Sequence, residues 1–178
     1  VLTVTAGAVA AYFALSYLHR LNPAFYVIAA AILLKLTFSM KTLRQTAFKV
    51  KGLLEQGKIP EARGAVKALV GRDTASLDEG HVISATVEAV AESSCDGIIA
   101  PLFYFLLFGV PGAIAYRIIN TFDSMIGYRG KFEYSGKFAA RLDDIANFIP
   151  ARIGGLLLVL ASAMGRQNAG LAWRTMLR

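Results

Sequence analysis

Apolar residues run unbroken by charge over 1–18, stop at His19-Arg20-Leu21-Asn22-Pro23, and resume over 24–40. The first run is close to the roughly 20 residues that a helix needs to cross a bilayer. Pro23 suits the first turn of a second helix, where its missing N–H is no loss. Lys35 is the single charge of the second run. Its long stem can carry the ammonium to the interface or to a partner.

From Lys41 to about Gln56 the period changes. Leu43, Ala47, Val50 and Leu54 recur at three- and four-residue spacing, which predicts an amphipathic helix extending out of the membrane. Gly57 fits its stop and Pro60 the first turn of a short helix over 60–70, ended by Gly71. Ser76 and Glu79 fit a capping box, with Asp78 in the first turn. The helix they open runs to about Cys95 and carries His81, Ser84, Glu88, Glu92 and Cys95 on one stripe, with Ile83, Val87 and Val90 elsewhere.

Residues 97–116 are apolar but include Pro101, Gly109, Pro111 and Gly112, which predicts a kinked span or two short helices meeting near Gly109. Broken helices at membrane depth need protein or water around them. Over 112–127 the helix continues with Arg117, Asn120, Asp123 and Ser124 on one face. A loop containing glycine and tyrosine follows, then a polar helix over 137–149, an apolar helix over 153–164 and a basic tail. The fold class is therefore all-α: a polytopic integral membrane helical bundle with cytoplasmic amphipathic helices and a kinked or broken helix near 101–112. Residues 1–178 form one membrane domain that includes a basic segment at 41–75.

Composition sharpens the membrane reading. The 178 residues are 56% hydrophobic and only 17% charged, whereas soluble domains carry about 25% charged residues. Mean hydropathy is +0.52. The net charge of +7 would suggest nucleic acid in a soluble protein. Here the cations concentrate at Lys41, Arg44, Lys49, Lys51, Lys58, Arg63, Lys67 and Arg72, opposed in that stretch only by Glu55 and Glu61. A basic loop after an apolar helix marks the cytoplasmic side of the cell membrane. No nucleic-acid-binding motif is present. Cys95 is the single cysteine, which excludes an intrachain disulfide. Cys95 reads as a packing residue, and His19 and His81 as structural. The chain begins at Val1, so it is expected to be truncated or renumbered, with its first apolar run a span rather than a cleaved signal.

Residues 71–152 hold many charged groups inside sequence apolar enough for a bilayer. A charge at the bilayer centre costs roughly 2.5–3.5 kcal/mol, so a chain that tolerates many is expected to use them. The blocks are GRDT, VEAVAES…DG, APLFY, YR-x-x-NT-x-DSM-x-GY and ARLDD-x-x-N-x-IPAR, all in order over about 40–155. This order resembles the adenosylcobinamide-phosphate synthases of cobalamin biosynthesis. The family often has Asn where this chain has Ser93. It also continues into a Ser-Pro-Asn motif and a glycine-rich stretch, so the chain is expected to be truncated at its C-terminus relative to the family.

The resemblance implies an integral membrane ligase. It joins adenosylcobyric acid to an aminopropanol phosphate, or a related amino alcohol phosphate, through an amide bond, and it requires ATP and Mg²⁺. The implied partners are the corrinoid, the amino alcohol phosphate and the lipid bilayer, with no nucleic acid. The oligomeric state is open, a homo-oligomer included. The competing class is a transporter or a sensor-like relative, in which the polar helices line a path.

Amide formation needs an activated carboxylate, Mg²⁺ held by carboxylates, cations facing phosphate and a base for the amine. Glu88, Glu92 and Asp96 are four residues apart and share one helical side. They read as a Mg²⁺ or substrate-amine site, or else as a solvated face. Arg72 would bind phosphate through its planar fork, with Asp73 assisting the metal, or else the two would form a capping turn. On the next face Arg117 would neutralise phosphate, Asn120 orient it and Asp123 hold Mg²⁺ beside Ser124. The alternative there is an interhelical hydrogen-bond network. Asp143 and Asp144 are adjacent and cannot both face one point. Asp144 is preferred for the site, with Asp143 capping or pairing with Arg141 or Arg152. The expected catalytic set is Glu88, Glu92, Asp96, Asp123 and Asp144, with Glu92, Asp96 and Asp123 on metal. Arg72, Arg117, Asn120, Ser124, Arg141, Asn147 and Arg152 are expected on substrate. Phe103, Tyr104, Phe105 and Phe108 read as lipid-facing or core. No P-loop, Rossmann fingerprint or Ser-His-Asp set is present.

Overall fold

The structure is a computed structural model and describes residues 2–38, 41–70, 74–126, 133–165 and 168–176. Among these the chain is all-α. Its helices are α1 (Leu2–Leu21), α2 (Pro23–Thr37), α3 (Lys41–Glu55), α4 (Ile59–Val70), α5 (Glu79–Ser94), α6 (Ala100–Ile126), α7 (Glu133–Met164) and α8 (Ala169–Met176). A π-helical turn, Cys95–Ile99, links α5 to α6. Pro101 lacks the N–H that would extend a wide turn beyond this point.

The chain divides into two compact units, Val1–Phe38 with Ile99–Arg178, and Ser39–Ile98. The basic segment 41–75 falls in the second unit. That unit has the pattern of a water-soluble bundle. Val50, Ala62, Val66, Val82 and Ala85 form its core, and Leu53, Leu54, Ala65, Val70 and Leu77 pack around them. Gly57 has φ 70°, its N–H donates to Leu54 O at 2.9 Å, and the Lys58 N–H donates to Leu53 O at 2.9 Å. This is a Schellman stop, which a residue with a Cβ adopts only under strain.

The expected capping box at Ser76 is not the one used. Asp78 is the N-cap, and its Oδ1 accepts from the His81 N–H at 2.8 Å and from the His81 ring at 2.8 Å. Ser76 lies in the preceding turn. A carboxylate three residues before the His81 N–H reaches it from the extended backbone of the cap, so Asp78 opens the helix rather than occupying its first turn.

In the first unit the pattern inverts. Many of its buried residues are small, including Ala100, Ala113, Ala139 and Ala146, with Tyr116 the large exception, whereas Phe13 is 65% and Leu106 80% exposed. Small residues inside and large apolar residues outside is how helices pack when the solvent is lipid. Leu2–Leu21, a stretch over Glu79–Met125 and Gly136–Met164 are each long and apolar enough to cross a membrane. The chain is a membrane protein.

The middle stretch is not one rod. Gly109 has φ 66° and ψ −160°, and Pro111 follows it inside α6. Tyr104 and Tyr116 stack at a ring separation of 5.3 Å with their planes 13° apart. On a continuous helix, residues twelve apart would be separated by about 18 Å along the axis. The chain therefore folds back at Gly109, and α6 is a hairpin of two arms, Ala100–Phe108 and Val110–Ile126. A Cβ on Gly112 would lie 2.6 Å from the Tyr104 carbonyl oxygen and 2.6 Å from Phe108 Cβ, so only glycine lets the arms meet. The first arm, at ~1.5 Å per residue, reaches only about 13 Å, less than half of a ~30 Å hydrocarbon layer. Of the two readings of 97–116, two short helices meeting near Gly109 is the one realised. Within this unit α1 packs on α2 and α6, and α7 packs on α6 and α8.

The polar helix expected over 137–149 and the apolar one over 153–164 are a single helix, α7, with Pro150 inside it. Pro150 cannot donate to the Ala146 carbonyl one turn back. The Tyr104 hydroxyl donates to that carbonyl instead, at 2.9 Å. An interhelical donor at the gap lets the helix run through the proline.

Two predictions follow from these local structures. Tyr104→Phe removes the donor to a buried carbonyl and should cost roughly 1–3 kcal/mol of stability. In a Pro150→Ala background, where an N–H is restored, the same change should cost far less. Thermal unfolding of the four proteins in detergent gives the coupling, and equal losses in both backgrounds would reject the gap-filling role. At the other unit, the His81 backbone N–H and then its ring hold the Asp78 carboxyl below the ordinary aspartate value. A lowered carboxylate adds stability that is present above its unfolded pKa and lost as pH falls through its folded one. Protection of the His81 amide should therefore drop on acidification below the ordinary carboxylate range, and Asp78→Ala should abolish that dependence.

Candidate functional site

The polar face expected on α6 meets α7 across the interior of the first unit. Asn120 is 8% exposed and Asp143 9%. Asn120 Nδ2 donates to Asp143 Oδ1 at 3.5 Å, and Asn147 Nδ2 donates to Asp143 Oδ2 at 2.9 Å. The Tyr116 hydroxyl donates to Asn147 Oδ1 at 2.9 Å, and Arg117 donates to Asn120 Oδ1 at 3.4 Å. A carboxylate that accepts from two amides fixes which way each amide points. The Asn120 oxygen is turned toward Arg117 and the Asn147 oxygen toward Tyr116.

Both sides of this network follow from helical spacing. Tyr116 and Asn120 are four apart on α6, as are Asp143 and Asn147 on α7, so each pair forms a stripe along one side. The stacked tyrosines reach successive residues of α7: Tyr104 the Ala146 carbonyl, Tyr116 the Asn147 side chain. An aromatic ring with a hydroxyl tip suits a site that is apolar along its walls and polar at one end.

Around this buried centre the other expected residues are more open. Arg117 and Asp123 are half-buried. Asp144 is exposed. Ser124 is at the surface, with its hydroxyl donating to the Asn120 carbonyl at 2.9 Å. Arg141 is exposed. Arg152 donates to the Phe148 carbonyl at 2.6 Å, and its guanidinium lies 3.6 Å from the centroid of the Phe148 ring. That places it along its own helix. Of the adjacent aspartates it is Asp143 that faces the helix interface, while Asp144 faces out.

The remaining expected residues belong to the other unit. Glu88 and Glu92 are exposed on α5, along the flank of the stripe buried at Val82, Ala85, Thr86 and Ala89. Asp96 is partly buried in the π-helical turn, where the helical register changes. Arg72 and Asp73 lie outside the described residues. Among the described residues no three His, Cys, Asp or Glu side chains form a group able to hold a metal ion. Magnesium, however, is usually held by one or two carboxylates together with substrate phosphates. Asp123 on α6 is half-buried and Asp144 on α7 is exposed, and each offers a carboxylate of the type such a site uses.

Tyr104 and Tyr116 escaped the sequence reading as site-forming residues. The signal for Tyr104 was Pro150, which orphans a carbonyl four residues earlier. The signal for Tyr116 was its four-residue spacing to Asn120.

A family model described as CobD/Cbib protein matches residues 1–178. The cobalamin biosynthesis protein CobD of Dehalococcoides mccartyi is 52% identical over 94% of this chain and 54% of its own length. The probable cobalamin biosynthesis protein CobD of Pyrococcus furiosus is 50% identical over 83% of this chain and 51% of its own. The cobalamin biosynthesis protein CobD of Klebsiella pneumoniae is 47% identical over 76% of this chain and 43% of its own. The chain thus spans about half the length of the curated relatives it matches. No solved structure matches it. Matched along all its residues by the family model, and 52% identical over 94% of its length to a cobalamin biosynthesis protein CobD, the chain belongs to the CobD/Cbib family.

Proposed function

We propose that this protein condenses adenosylcobyric acid with an aminopropanol phosphate, or a related amino alcohol phosphate, to give adenosylcobinamide phosphate. The corrin carboxylate takes the terminal phosphoryl group of ATP and releases ADP. The amine nitrogen then attacks the acyl carbon, phosphate leaves, and a base takes the proton lost by nitrogen. The observation that supports this reading is the Asn120–Asp143–Asn147 network, a fully oriented polar centre inside a unit packed for lipid.

The side chains divide the work by their surroundings. Asp143, committed to two amides, positions. Through Asn120 it holds Arg117, whose fork suits phosphate. Asp123 and Asp144 are the proposed Mg²⁺ ligands, and bound Mg²⁺ would offset the negative charge of the phosphates. Ser124, Arg141, Asn147 and Arg152 border the same helices and are proposed on the substrate side. Glu88, Glu92 and Asp96 are proposed for the amine and for metal, and Arg72 for phosphate. The break at Gly109 favours a second reading, a transporter, because discontinuous membrane helices often frame substrate paths.

Purified protein in lipid, given adenosylcobyric acid, aminopropanol phosphate, ATP and Mg²⁺, should form the corrin amide. Asp123→Asn should lower turnover by at least the roughly tenfold to hundredfold seen for groups that support a metal site, with the melting temperature unchanged. Full turnover with a lowered melting temperature would make Asp123 structural. Corrinoid flux without amide formation would select the transporter.

The basic excess of 41–72 supports a cytoplasmic placement for that segment in the cell membrane. A cysteine at Lys58, an exposed position, should react with an impermeant maleimide only after the cytoplasmic side is opened. Labelling of sealed cells from outside would reverse the orientation.

A further inference from the structure

In the Ser39–Ile98 unit, α4 and the turn before α5 hold one arginine in place from two sides. The Thr74 hydroxyl, on a residue only 2% exposed, donates to the Arg63 carbonyl at 2.9 Å. The Arg63 Nε donates to the Leu77 carbonyl at 2.5 Å. Backbone and side chain are thus both tied to the Thr74–Leu77 turn, and the guanidinium plane is set before any ligand arrives. Lys67 lies four residues on, along the same side of α4.

Beside these two cations is a hollow of about 310 Å³ lined by Pro60, Arg63, Gly64, Lys67, Thr74 and Ala75. Among the described residues no carboxylate is in its lining. Among the described residues neither Arg63 nor Lys67 has an acidic partner; the ion pairs of this unit are Lys51–Glu55 and His81–Asp78. Gly64 sits between the two cations, and a Cβ there would meet nothing within 4 Å, so the floor is open.

We propose that Arg63 and Lys67 form a phosphate-binding site on the Ser39–Ile98 unit. A guanidinium with Nε already committed keeps its two terminal nitrogens for a pair of phosphate oxygens, and a lysine one turn away adds a point charge. The side-chain ordering that phosphate would otherwise impose on Arg63 is already done by Leu77. The ligand chemistry is a phosphate ester, carried either by a soluble monoester or by an anionic lipid headgroup. The inference does not rest on the amide-forming reading.

Inorganic phosphate titrated into the protein in phosphatidylcholine nanodiscs, followed by phosphorus NMR line broadening, should show saturable binding. Lys67→Gln leaves the Arg63 tethers intact and should weaken it roughly tenfold, as loss of one charge-assisted contact implies. Arg63→Lys keeps the charge without the fork and should weaken it at least as much. Circular dichroism of both variants establishes that α4 is folded. Nanodiscs containing phosphatidylglycerol separate the sources. If that lipid displaces phosphate from the wild type but not from Lys67→Gln, the site takes a lipid headgroup; if phosphate binds equally in both discs, it takes a soluble ester. Absence of saturable binding in phosphatidylcholine discs, or unchanged affinity in Lys67→Gln, overturns the proposal.

Discussion

A proline inside a lipid-facing helix leaves a carbonyl that lipid cannot satisfy, and the arrangement around Pro150 follows from that constraint. The Ala146 carbonyl needs a donor from another helix, and Tyr104 provides it. Tyr104 reaches it from the short first arm of the α6 hairpin. The hairpin in turn exists because Gly109 adopts a left-handed conformation and Gly112 leaves no side chain between the arms. Tyr116, brought against Tyr104 by the fold-back, extends its hydroxyl to Asn147, the residue next to Ala146. The same contact that repairs the helix thereby delivers the polar network to its place.

This geometry explains how so many polar groups survive in an apolar unit. Each amide of the network has its oxygen and its nitrogen assigned to different partners, and Asp143 accepts from both. A buried carboxylate with that many donors is oriented, and breaking one link would leave the others unsatisfied. Such a centre is rigid, which favours positioning over proton transfer. Asp123 and Asp144, proposed to meet ligands, are more open.

The two units solve opposite solvent problems with the same secondary structure. In the Ser39–Ile98 unit Val50, Val66 and Val82 point in, with Leu53, Leu54 and Leu77 packed around them, while Lys49, Lys51, Lys58 and Lys67 point out, the pattern that water as the outside would select. In the other unit many of the helix contacts are made by alanines and glycines, with Tyr104 and Tyr116 between them, and most large apolar side chains point out. Without a hydrophobic force between helices in lipid, close approach of backbones and specific interhelical hydrogen bonds must hold the bundle.

The all-α class, the membrane spans, the Gly57 stop, the break at Gly109 and the family were legible in the sequence, because each depends on local chemistry. Run length, glycine φ and the spacing of polar blocks need no tertiary partner to be read. The sequence could not choose between a kink and a hairpin, since Gly109 and Pro111 permit both and the stacking of Tyr104 on Tyr116 selects one. Nor could it show that α7 runs through Pro150, because the compensating donor lies 42 residues earlier in the chain, on Tyr104. Ser76 and Asp78 both offered a cap, and backbone geometry chose Asp78. Between Asp143 and Asp144 the choice fell to the rotation of α7 about its axis. That rotation is set by packing against α6, and a helical wheel of either helix alone leaves it undetermined.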